Sequence, residues 1–125
     1  MKRLFFTLIL LLSLCSLLYA AEPVKENSTG KLTLTFYNED DTEVIPTAGT
    51  IKIVDVASGT VIRDTTAFTP TTATYSITIT ATENRILDQM RSSEQRRITV
   101  TFSYGASKAG TGDFIYPIKN LPDIN

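Results

Sequence analysis

Lys31-Leu32-Thr33-Leu34-Thr35-Phe36-Tyr37 alternates without a break, placing Leu32, Leu34 and Phe36 on one side of an extended chain and Thr33, Thr35 and Tyr37 on the other. A period of two is the signature of a half-buried strand. The rhythm returns in residues 74–80, with Tyr75, Ile77 and Ile79 on one face, and in residues 97–104, with Ile98, Val100, Phe102 and Tyr104. Residues 50–56 form a further strand with Ile51 and Ile53 inward. Ala57-Ser58-Gly59 turns that strand, and residues 60–63 return as its hairpin partner. Glu43-Val44-Ile45 reads as a short strand ended by Pro46. Residues 113–118 close the set as an edge strand, because Pro117 cannot donate to a ladder.

One segment departs from this rhythm. Thr80-Ala81-Thr82-Glu83 fits a capping box, and Ile86, Leu87 and Met90 come after it at near-helical spacing until Ser92-Ser93. These residues predict two or three helical turns between strands. Seven or so short strands and one crossover helix lead to an all-β fold, an Ig-like two-sheet antiparallel sandwich. Threonine and other β-branched residues suit sheets with one wet face.

The 125-residue chain opens with Met1-Lys2-Arg3 and an uncharged apolar run from Leu4 to Tyr19, before Ala20-Ala21-Glu22-Pro23. A basic start, an apolar stretch and small residues at a polar break predict a signal peptide over residues 1–20. Its run falls short of the roughly 20 residues a spanning helix needs, so membrane anchorage is the alternative only if the leader stays uncleaved. Leu12-Ser13-Leu14-Cys15 lacks the small residue that precedes a lipidated cysteine. Residues 21–30 are expected as a flexible lead-in, 31–121 as the sandwich and 122–125 as a tail. Cleavage after Ala20 leaves 105 residues, one domain with a core of its own. That portion holds ten basic and thirteen acidic residues, a net charge of −3, which argues against a nucleic-acid surface. Its one adjacent basic pair, Arg96-Arg97, sits at the start of a strand. Asn27-Ser28-Thr29 matches a glycosylation sequon, relevant only in a eukaryotic secretory pathway.

The chain has no histidine, and its one cysteine, Cys15, lies in the leader. Ser–His and Cys–His nucleophile systems and Cys/His zinc sites are thereby excluded, and export brings no disulfide framework. Gly105, Gly110 and Gly112 read as a flexible hairpin tip and not as a phosphate loop, which needs a following helix. The acidic turn Asn38-Glu39-Asp40-Asp41-Thr42-Glu43 reads first as a solvated turn. Asp40, Asp41 and Glu43 are weak calcium candidates, since the spaced pattern of a dedicated calcium loop is missing. An enzyme would need a carboxylate pair, such as one from this turn facing Glu94 or Asp113. No cofactor is expected. Tyr75 and Tyr104 are assigned to the core, and Tyr37 and Tyr116 are the candidates for partner contact, because tyrosine joins large area to a polar tip.

The strand–turn–strand of residues 49–55 and 58–62 resembles that of small Ig-like domains in tailed-phage structural proteins, the N-terminal domain of baseplate upper proteins being the nearest type. The later order, Thr74-Tyr75-Ser76-Ile77, a short insert, residues 97–102 and then Phe114-Ile115-Tyr116-Pro117, is similar as well. The resemblance spans roughly residues 31–121 and implies structure and attachment, with no catalytic residues. The sequence thus predicts a non-enzymatic exported module for protein or glycan contact. A virion part is the alternative.

Overall fold

The computed structural model describes residues 23–121, and the expected leader and tail lie outside the described residues. Seven strands form: β1 (Val24–Lys25), β2 (Gly30–Thr35), β3 (Ala48–Asp55), β4 (Val61–Phe68), β5 (Thr74–Ile79), β6 (Ser93–Tyr104) and β7 (Lys108–Lys119). Five make one sheet in the order β1-β7-β6-β3-β4, and β2 pairs with β5 in the facing sheet. The second and fifth strands facing the third, sixth and seventh is the order of an Ig-like sandwich. Every pairing is antiparallel except β1 on β7, which is parallel with Val24 opposite Ile118. Residues 24–25, inside the stretch expected as a lead-in, therefore belong to the sheet.

The alternating residues fill the core as their period requires. Leu34, Phe36, Ile51, Ile53, Ile77, Ile79, Ile98 and Val100 are buried together between the sheets. At one end the packing is aromatic. Phe36 meets the Phe102 ring at 4.9 Å and Phe68 meets the Tyr75 ring at 5.0 Å between centroids, spacings at which ring pairs add attraction beyond their buried area. Two glycines make that end possible. A Cβ on Gly49 would lie 2.5 Å from Phe68 Cζ, and one on Gly110 would lie 2.5 Å from Phe102 Cζ. In each case the glycine is the direct cross-strand partner of the ring that covers it.

The expected crossover helix is absent among the described residues, and residues 80–92 run as turns and irregular chain. The capping box itself forms: Thr80 N–H donates to Glu83 Oε2 at 2.8 Å, and Glu83 N–H donates to Thr80 Oγ1 at 3.3 Å. Beyond Glu83 the chain cannot continue as a helix, because its backbone groups are taken by distant residues. Asn84 O accepts from Asn27 N–H and Arg85 O accepts from Arg96 Nη2. Leu87 and Asp88 N–H both donate to the Glu94 carboxylate. Tertiary partners outbid the i→i−4 ladder. Three smaller expectations also change. Residues 43–45 make only an isolated bridge, Tyr37 with Glu43. Of the three glycines assigned to the hairpin tip, only Gly105 sits there, at a φ of 59°, while Gly110 and Gly112 lie within β7. The hairpin partner expected over 60–63 runs on to Phe68.

Candidate functional site

Most polar side chains that could do chemistry are occupied within the fold. Arg96, half of the basic pair in the sequence, is fully buried at the start of β6. Its Nη1 donates to Asp55 Oδ1 at 2.6 Å and lies 2.9 Å from Glu94 Oε2. Asp55 also accepts from Ser58 N–H at 2.9 Å and from the Ser58 hydroxyl at 2.6 Å. Burial works against the Asp55 carboxylate, but the Ser58 bonds and the Arg96 charge outweigh it and hold its pKa below the ordinary value. Glu94, one of the carboxylates an enzyme would have used, is thus a structural clamp between Arg96 and the backbone of Leu87 and Asp88. Arg96 Nε and Asn120 Oδ1 have no hydrogen-bond partner among the described residues.

Tyr116 points into the same region. Its hydroxyl donates to Asn84 Oδ1 at 2.8 Å, and burial pushes its pKa up to about 12. The hydroxyl of this contact candidate is engaged inside the domain. Tyr37 is half-buried beside the acidic turn, where its backbone bridges to Glu43. That turn is organised by Asn38, whose Oδ1 accepts from Asp40 and Thr42 N–H at 2.9 and 3.0 Å, with Asp41 held at a φ of 59°. Asp40, Asp41 and Glu43 do not converge: among the described residues no group of three or more acidic side chains could hold a metal ion. Glu39 instead pairs with Lys108 and accepts from the Tyr104 hydroxyl at 2.7 Å, and the Lys108 bond leads in lowering its pKa to about 2. Asp113 lies on the outer sheet face, where Thr99 Oγ1 donates to its Oδ1 at 2.7 Å.

Among the described residues, unpaired backbone groups collect along β7. Asn120 N–H donates to Ser92 O at 2.9 Å, and this pair continues the β6–β7 register. Antiparallel ladders alternate, so the even-numbered residues of β7 exchange bonds with β6 and the odd-numbered ones face away. Two other facts agree with this phase. Lys119 O accepts from Glu26 N–H of the lead-in at 3.0 Å, and Pro117, which has no N–H, occupies an outward position. Beyond Pro117 the edge is covered by β1. Before it, the N–H and C=O groups of Ala109, Thr111, Asp113 and Ile115 point away from the sheet, and the side chains of these four residues are exposed.

The other three edges are better guarded. The β3–β4 pairing is broken by register shifts between Ile51 and Ile53 and between Ile53 and Val54, and irregular pairing twists an edge out of use. The β5 edge is bridged to β4 by Arg63, whose Nη2 donates to Thr78 O at 2.9 Å while its Nε meets Glu83 Oε1 at 2.5 Å. The β2 edge is six residues long and carries Lys31. In sequence, Pro117 signals that this last strand is an edge. The extent of the edge, back to Lys108, is hidden there because Gly110 and Gly112 look like turn residues.

Among the described residues no helix is long and apolar enough to cross a membrane. Comparison with known proteins finds no matching family model, no matching curated protein and no matching solved structure.

Proposed function

We propose that this chain is a non-enzymatic, exported Ig-like module that works by protein contact, with the free edge of β7 as its contact surface. The observation that carries the reading is the outward row of backbone groups at Ala109, Thr111, Asp113 and Ile115, the least guarded edge of the two sheets among the described residues. An extended segment added there gains main-chain hydrogen bonds, and the flanking side chains select it. The leader over residues 1–20 supports export. The carboxylates considered for catalysis support a non-enzymatic role, since Glu94, Glu39 and Asp113 sit apart and each is held by a neighbour.

The test is a binding screen of the immobilised chain against extracellular proteins and glycans, run beside Thr111→Pro. Proline at an outward position removes an edge donor without touching the β6 ladder, as Pro117 already does. A protein ligand retained by the wild type and lost by Thr111→Pro is the expected result. A ligand held equally by both, or a glycan bound to the threonine-rich outer faces, overturns the edge as the surface.

A further inference from the structure

We infer that the strand which fits the β7 edge is β7 of a second copy, paired antiparallel about a two-fold axis at Gly112. This rests on the edge being the contact surface and adds the identity of what binds there.

The argument starts from which residues can meet. Outward residues of one strand bond only to outward residues of the other, so the two odd-numbered rows must face each other. A two-fold at Gly112 sets Thr111 against Asp113 of the second copy, twice, and Ala109 against Ile115, twice. Each Asp113 then faces a hydroxyl, with Oδ2 available because Thr99 uses Oδ1. Moving the axis to Asp113 sets the two carboxylates against each other, and like charges directly opposite are destabilising. Moving it to Thr111 strands each Asp113 against Ala109.

The ends fit as well. The free stretch is bounded by β1 at Ile118 and by the Gly105 turn before Lys108. In the paired register the turn of one copy arrives where β1 of the other begins, and it bends back toward its own β6. The product is one continuous ten-stranded sheet. Pairing over seven residues is small beside the roughly 1,200–2,000 Å² of a standard stable interface, so association is reversible and concentration-dependent.

The experiment uses the exported chain, residues 21–125, from which the expected cleavage after Ala20 has removed Cys15 and which holds no other cysteine. Sedimentation across the micromolar-to-millimolar range is expected to show a monomer–dimer equilibrium that Thr111→Pro abolishes. In the same background Gly112→Cys is expected to form a disulfide dimer on mild oxidation. At the axis the two Gly112 positions form a non-hydrogen-bonded pair, the closer of the two pair types, and a Cβ there meets nothing nearer than Phe114 Cε2 at 3.6 Å. Ser76→Cys, exposed on the other sheet, is the comparator and should stay monomeric. A wild type that remains monomeric while Gly112→Cys links no better than Ser76→Cys overturns the inference. So does a dimer that survives Thr111→Pro, which would use another surface. Should Thr111→Pro misfold, the cysteine comparison decides alone. If the chain is monomeric yet Thr111→Pro still loses a protein ligand, the edge stands as a contact surface and only the second copy is wrong.

Discussion

The two ends of β6 are built on opposite principles. Toward its C-terminus, Ile98, Val100 and Phe102 join an apolar and aromatic core in which shape decides what fits. Toward its N-terminus, the same inward face carries Glu94 and Arg96, the latter roughly 20 Å from Phe102 at about 3.3 Å per residue. There the interior is held by directed bonds: Arg96 to Asp55, Glu94 and Arg85 O, Glu94 to two backbone amides, and Tyr116 to Asn84. The difference comes from what each end must hold. The aromatic end clamps strands against strands, and apolar area does that without direction. The polar end must pin an irregular segment, residues 80–92, whose backbone groups have no ladder of their own and need named partners.

Arg96→Ala is the sharpest way to break that contrast. It leaves Asp55 and Glu94 buried without their cation, and removing one partner of a buried ion pair costs about 3–5 kcal/mol. Denaturant unfolding should show this loss, and amide exchange should quicken first in residues 84–91. Ile98→Val, one step along the same face, should cost only about 0.5–1.5 kcal/mol. Equal losses for both would mean that the polar end is not specially dependent on its charges.

Gly49→Ala probes the other end. The added carbon overlaps Phe68, whose ring is confined by Phe36 and Tyr75, and overpacking of this kind costs about 1–3 kcal/mol. Adding Phe68→Leu should recover part of that loss. A double variant whose loss equals the sum of the singles would show that ring and glycine do not act as a pair.

The smallest effect is a titration. Tyr116 has its pKa raised by burial to about 12, above the value near 10 of an unfolded tyrosine. Its neutral form therefore favours the fold fully below about pH 10, and the contribution is lost as pH rises through about 12. Absorbance titration should show Tyr116 ionising last, after Tyr104, which its bond to Glu39 also raises, and Tyr116→Phe should remove that last step. If all tyrosines ionise together near pH 10, the hydroxyl is not buried as described.

How far the sequence reveals this molecule tracks the same divide. Strands at the apolar end are legible because burial with period two leaves its mark residue by residue, as at Leu32, Leu34 and Phe36. The polar end is misread for a physical reason. Thr80 and Glu83 form the local motif of a helix start, yet the bonds that prevent a helix come from Asn27, Glu94 and Arg96, none of which the local pattern shows. Arg96 resembles Arg97 in sequence and differs only in the face its strand presents. Gly110 and Gly112 carry turn chemistry, but it is the Phe102 ring that fixes why Gly110 is a glycine.

The parallel pairing of β1 with β7 has a mechanical consequence. Val24–Lys25 and Ile118–Lys119 run in the same direction, with Glu26 N–H bonded to Lys119 O and Leu121 N–H bonded to Glu26 Oε1 at 3.0 Å. A pull that draws residue 23 and residue 121 apart therefore loads these bonds in shear, all at once, and not one after another as peeling would. The clasp is short, but every bond in it shares the force.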